Sequence, residues 1–130
     1  MPTVIPPTVD RGNEWFWRGV AEEKLLLERC AGCGLLRRHG VPMCGACHSV
    51  EVDTQEATGR GTIHTWIVAR HPNDTEGEGR IVVLVELEEG IRLVSNLVGA
   101  ETSEVANGLP VELCFETYGG VKLPQFRLVR

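Results

Sequence analysis

The sequence predicts a mainly β protein in which an N-terminal helix and a four-cysteine zinc ribbon precede a five-stranded barrel. Three observations carry the prediction. Two Cys-x-x-Cys pairs, Cys30/Cys33 and Cys44/Cys47, are separated by ten residues. The stretch from Asp10 to about Glu23 has a helical pattern. Beyond residue 60, five runs rich in β-branched and large apolar residues are separated by turn signals. The resulting organisation is an extended segment and helix over 1–24, a ribbon over 25–50 and a barrel over 51–130.

Residues 1–9 are too short and too rich in proline for a helix and should be extended. Asp10 or Asn13 can cap the helix that follows, which carries Trp15, Phe16, Trp17, Val20 and Ala21. Successive helix residues are about 100° apart, so the three aromatics sweep about 200° of its surface, more than a small module covers alone. Either two of them pack on the ribbon and the third is left over, or part of the cluster anchors another subunit. The chain has seven aromatics and places three here, which favours the anchor, since Trp and Phe dominate interface cores. Leu25, Leu26 and Leu27 then lead as a strand into the first cysteine pair.

A Cys-x-x-Cys turn presents two thiolates from one knuckle, and a second knuckle alongside completes the tetrahedral sulfur cage that structural Zn2+ prefers. Within the spacer, Leu35, Leu36 and Arg37 can run out and Val41, Pro42 and Met43 back, with Gly40 between. The alternatives are rubredoxin-like iron in the same cage, a pair of disulfides, or a redox motif. The chain opens without an apolar signal segment, has an odd fifth cysteine, and sets both pairs among Gly and polar residues, which favours a metal. Cys114 lies in an alternating apolar run and should be a buried strand residue. Four thiolates around a divalent cation leave two net negative charges. Lys24, Arg29, Arg37 and Arg38 are placed to offset them, or to hold a phosphate-bearing ligand.

The five apolar runs are Thr62–Ala69, Arg80–Leu87, Ile91–Val98, Val111–Thr117 and Leu123–Val129, with a tight hairpin turn at Glu88-Glu89-Gly90. Longer connections fall at 70–79 and 99–110. Five antiparallel strands in so short a span suit a closed barrel, because closure removes exposed edges; the oligonucleotide-and-oligosaccharide-binding (OB) fold is favoured over an SH3-like barrel. Such a barrel could also stand alone as a module that binds a small ligand or single-stranded nucleic acid, and a net charge of -5 argues against the nucleic acid. With no apolar stretch of eighteen residues, a soluble cytoplasmic protein without a membrane partner is expected. His39, His48, His64, His71 and Tyr118 show no companion spacing, so no catalytic residue is assigned.

The chain resembles the zinc-ribbon OB-fold family of acyl-CoA-associated proteins. The matching segments are Glu14-Trp15-Phe16-Trp17-Arg18-Gly19, residues 26–34 around the first knuckle, the second knuckle with Ser49, Thr58-Gly59-Arg60-Gly61-Thr62-Ile63, residues 84–90, and Leu123-Pro124-Gln125-Phe126. The resemblance implies a non-catalytic role beside a thiolase-like aldolase, a thiolase or an acyl-CoA hydratase. Residues 35–44 and 90–99 look most like the branch that pairs with a thiolase-like aldolase in actinobacterial steroid side-chain breakdown, where a hydroxyacyl-CoA is cleaved by a retro-aldol step. The family often has Pro-Pro-Arg where this chain has His39-Gly40-Val41, and a proline where it has Gly45. Any acyl-CoA contact made by that family arginine would fall to Arg37 or Arg38, from a shifted position.

Overall fold

A computed structural model describes residues 6–37, 41–70 and 79–130. Arg38, His39, Gly40 and His71 lie outside the described residues. The chain divides into two compact units, one running to Thr58 and including Glu116–Leu123, the other formed by Gly59–Phe115 with Pro124–Arg130.

In the first unit, helix α1 spans Glu14–Ala21. Neither expected cap bonds the helix through its side chain. Asp10 and Asn13 instead close a turn on each other: Asp10 Oδ1 accepts the N–H groups of Gly12 and Asn13 at 2.8 and 3.0 Å, and Asn13 Oδ1 accepts that of Asp10 at 2.8 Å. The side-chain oxygens are thus used before the helix begins. Phe16, Gly19 and Val20 form the buried face. A Cβ at Gly19 would stand 2.8 Å from the Leu26 side chain, which explains why the Phe-Trp-x-Gly segment ends in glycine.

Strand β1 (Leu26–Cys30) is the middle of a three-stranded sheet with β2 (Leu36–Arg37) and β3 (Val52–Glu56), in the order β2-β1-β3. The sequence reading pairs residues 35–37 with 41–43. The structure pairs them with β1 instead, Glu28 opposite Arg37 and Arg29 opposite Leu36, and 41–43 form no strand. β3 was not among the expected strands. It reads Val-Asp-Thr-Gln-Glu and buries no side chain, so it has no apolar alternation to betray it; its five-residue register with β1 makes it a strand.

Five strands close into a barrel, β4 (Arg60–Ala69), β5 (Arg80–Leu87), β6 (Arg92–Leu97), β7 (Pro110–Tyr118) and β8 (Val121–Leu128), in the order β4-β5-β6-β8-β7; the second unit holds all of it but the ends of β7 and β8 within Glu116–Leu123. All five expected runs are strands. On β5 the buried residues Ile81, Val83, Val85 and Leu87 alternate with more exposed ones, the two-residue period of a sheet with one face in a core. Ile63, Leu97, Val111 and Phe126 join them. β6 and β8 run parallel, with Leu97 opposite Phe126. Val98 N–H donates to Phe126 C=O at 2.8 Å, Ser95 Oγ to Pro124 C=O at 2.9 Å, and Asn96 Nδ2 to Gln125 Oε1 at 3.1 Å.

Gly59 and Gly61 have separate causes. Gly59 sits at φ 88°, where its Cβ would press on Leu113 at 2.9 Å. Gly61 has no room at all: a Cβ would lie 2.5 Å from the Glu86 carbonyl oxygen of the adjacent strand. Arg60 between them grips the Glu88 carboxylate with Nε and Nη2 at 2.9 and 3.2 Å.

Candidate metal centre

The four cysteine sulfurs lie within 4.8 Å of one another. Cys30 Sγ is 3.5 Å from Cys47 Sγ and Cys33 Sγ is 3.7 Å from Cys44 Sγ. These separations are far longer than a disulfide bond. Zinc–sulfur bonds of about 2.3 Å in a tetrahedron imply an edge of about 3.8 Å. The donor set, four free cysteine sulfurs at near-tetrahedral spacing, therefore fits a divalent metal better than a pair of disulfides.

Two matched knuckles build the cage. In the first, Gly34 at φ 80° donates its N–H to Cys30 C=O at 2.9 Å. In the second, His48 at φ 64° donates to Cys44 C=O at 3.0 Å. The residue after each second cysteine must take the left-handed conformation to turn its N–H back; glycine does so freely, whereas histidine is strained there. His48 thus shapes the knuckle through its backbone, and its side chain is exposed. The two knuckles meet at Cys30 and Cys44, which are buried, while Cys33 and Cys47 face solvent.

Backbone N–H groups set the thiol chemistry of the metal-free site. The N–H of Cys33 above all draws the Cys30 thiol down to about 6, aided by a hydrogen bond with Cys47 and by the Gly32 N–H, against burial. Cys44 is lowered by the N–H groups of Cys47 and Ala46. For Cys47 the Ser49 N–H also lowers the value, but the neighbouring Cys30 and Cys33 sulfurs, together with burial and Cys44, push the thiol up to about 11.

Among the described residues, the cations expected beside the cage stand next to carboxylates. Arg29 Nη2 lies 2.8 Å from Asp53 Oδ2, its direct partner across β1 and β3, and Lys24 lies 3.9 Å from Glu22. Arg37 faces Glu28 at 3.9 Å, both side chains almost wholly buried. Its Nε and Nη1, and Glu28 Oε2, have no hydrogen-bond partner among the described residues. Arg29 and Arg37 are each engaged by a carboxylate on their own sheet, a pairing that sequence spacing cannot reveal because it depends on strand register.

The remaining candidates are scattered. On α1, Phe16 is buried between half-buried Trp15 and Trp17, with ring centroids 6.0 and 5.1 Å away. His64 is the extra residue of a bulge between Ile63 and Thr65 on β4 and is exposed, so it does not enter the barrel core. Tyr118 is half-buried at the end of β7. Cys114 is on β7 as expected, half-buried rather than buried. No helix among the described residues is long and apolar enough to cross a membrane.

A helix-backed sheet holding four convergent thiolates, followed by a closed five-stranded barrel, defines a metal-ribbon and OB-fold protein. Residues 54–116 match the family model described as the ChsH2 C-terminal OB-fold domain. A "DUF35 domain-containing scaffold protein" of Methanocaldococcus jannaschii is 30% identical over 76% of this chain and 73% of its own length. The chain belongs to the DUF35 family. It is 40% identical to a chain of a solved "Ltp2-ChsH2(DUF35) aldolase", covering 94% of this chain and 98% of that one with a TM-score of 0.84. A "probable enoyl-CoA hydratase alpha subunit" of Thermomonospora curvata is 40% identical over 93% of this chain. The "3-oxo-4,17-pregnadiene-20-carboxyl-CoA hydratase alpha subunit" of Mycobacterium tuberculosis is 35% identical over 86% of it. The chain spans only 39% and 36% of the length of those two relatives.

Proposed function

We propose that this chain is a non-catalytic accessory subunit or domain of an acyl-CoA enzyme, most closely that of a thiolase-like aldolase that cleaves a hydroxyacyl-CoA by a retro-aldol step in steroid side-chain degradation. One observation carries the reading: at 40% identity the chain matches nearly the whole length of a chain in the solved two-component aldolase. The pregnadiene-carboxyl-CoA hydratase relative supports a steroid acyl-CoA. The hydratase names support a second reading, in which the same module serves an acyl-CoA hydratase. The aldolase is preferred because the match to that chain extends over 98% of it rather than a minor part.

In this reading a structural zinc ion occupies the four-thiolate cage, and Trp15, Phe16 and Trp17 present the partner anchor. Phe16 faces inward, so the half-buried tryptophans are the members able to reach another subunit. The acyl-CoA contact proposed for Arg37 and Arg38 falls on Arg38, since Arg37 is buried against Glu28.

Mixing the chain with an Ltp2-type subunit and a steroid hydroxyacyl-CoA tests the function. Cleavage is expected from the mixture and not from this chain alone. Cleavage by this chain alone, or absence of a complex, overturns the reading. About one zinc per chain is expected by elemental analysis; iron, or less than about half an equivalent of metal, overturns the zinc assignment.

A further inference from the structure

Four of the eight large apolar side chains left exposed among the described residues stand beside the cysteines: Leu35, Met43, Val50 and Val52. The backbone ties each of them to the cage. Leu35 C=O accepts the Cys30 N–H at 2.8 Å, and Met43 precedes Cys44. Val50 follows Ser49, whose C=O accepts the Cys44 N–H at 2.9 Å, and Val52 lies directly opposite Cys30 across β1 and β3. Val50 is the most open of all, at 71% exposure. Single exposed apolar residues are ordinary on a protein surface, but a group around one centre is not.

The centre itself is charged and open. With a divalent ion, four thiolates carry two net negative charges, and two of the residues that supply them, Cys33 and Cys47, are exposed. Among the described residues, Arg29, Arg37 and Lys24 are engaged by carboxylates, and the hydrogen bonds acting on the cysteines come from backbone N–H groups and from one another. An apolar rim around an anionic centre is the complement of a surface that sets apolar side chains around an arginine or lysine, the arrangement of an interface core with a matched charge.

We propose that this knuckle end of the ribbon docks onto the partner enzyme subunit, against an apolar patch bearing at least one arginine or lysine whose N–H groups reach the Cys33 and Cys47 sulfurs. The inference rests on the accessory-subunit reading above and adds the surface used and the chemistry it selects.

The test uses the full metal-loaded chain and an Ltp2-type subunit, with affinity measured by calorimetry and metal content and melting temperature as controls. Val50→Lys should weaken binding about tenfold or more at unchanged metal content and melting temperature. Val50→Glu should weaken it at least about threefold less, because only the lysine repels a cationic patch. Leu35→Lys reports the residues beside the first knuckle and should behave as Val50→Lys does. Wild-type affinity in both lysine variants overturns this surface while leaving the partner reading standing. Equal losses for lysine and glutamate remove the charge match and overturn the proposal. Failure of the wild-type chain to bind overturns both readings. A wild-type chain that dimerises alone, with the dimer abolished by Val50→Lys and Ltp2 binding untouched, makes a second copy the occupant and overturns it as well.

Discussion

The knuckle side of the three-stranded sheet and the interior of the barrel hold their strands by different means. β2 has two residues and β3 buries no side chain, and between them the knuckles contribute only Cys30 and Cys44 to the buried set. In the barrel, β5 alone buries four apolar side chains, and strands on either side add Ile63 and Leu97 to the same core. The barrel can be stabilised by removal of apolar surface from water. The knuckles cannot, because they bury too little, and the bonds to a metal must replace that term. α1 is intermediate: Phe16 and Val20 lie in the apolar core of their unit together with Leu25 and Leu27, so the helix side of the ribbon has hydrophobic support that the knuckle side lacks.

Removing a thiolate should break this contrast most sharply. Cys44→Ser should abolish tight metal binding, forfeiting a large part of a term on the order of 10 kcal/mol. Amide exchange should then lose protection across β1, β2 and β3 while the barrel strands keep theirs; equal loss in both would refute the difference in their support. Acidification should act in the same direction, since protons compete with the metal for all four thiolates.

The reciprocal experiment empties the barrel core. Phe126 is wholly buried on the seam strand, and Phe126→Ala should cost about 3–5 kcal/mol in unfolding free energy while metal content stays at the wild-type level. A smaller loss is expected from Gly61→Ala, where the new methyl group meets the Glu86 carbonyl oxygen and β4 must shift, on the order of 1–3 kcal/mol by denaturant titration.

His48→Gly probes the asymmetry between the two knuckles. Glycine relieves the left-handed strain in the folded chain but frees the unfolded one, so the net gain should be below about 1 kcal/mol, with no change in metal stoichiometry. The smallest effect belongs to the exposed Arg29–Asp53 pair. The Arg29 hydrogen bond, with the Thr54 N–H, lowers the Asp53 carboxyl below its ordinary 3.8, so its stabilisation is present above that value and lost as pH falls through the lowered one. Asp53→Asn should therefore destabilise slightly at neutral pH and converge on the wild type in acid, as followed by thermal melts across pH.

How much of this was legible in the sequence depended on whether the signal was local. Cysteine spacing sufficed for the cage, and the β-branched runs sufficed for all five barrel strands, because spacing and alternation are written in consecutive residues. The partner of Leu36–Arg37 was not legible, since any of several short segments could pair with so brief a strand. β3 escaped because its polar composition is that of a loop, and its strand character comes from β1. The fate of the arginines followed the same rule: Arg29 and Arg37 met carboxylates only once register had brought Asp53 and Glu28 opposite them. The left-handed turn at His48 gave no sign, since histidine rarely adopts it.

The parallel seam between β6 and β8 bears on the order in which the barrel can form. β4, β5 and β6 are successive antiparallel neighbours and can zip locally, but Leu97 meets Phe126 only after the intervening chain has turned back and β7 has laid Val111 against Gly61. Until then two edges stay open and the apolar face of β5 is uncovered. Loop closure must precede the contacts that reward it, so the seam should set the folding rate of the barrel. The interval before it shuts is when a nascent chain would be most exposed to mispairing with another, and the polar stitches at Ser95, Asn96 and Gln125 then work as a late latch more than as a source of equilibrium stability.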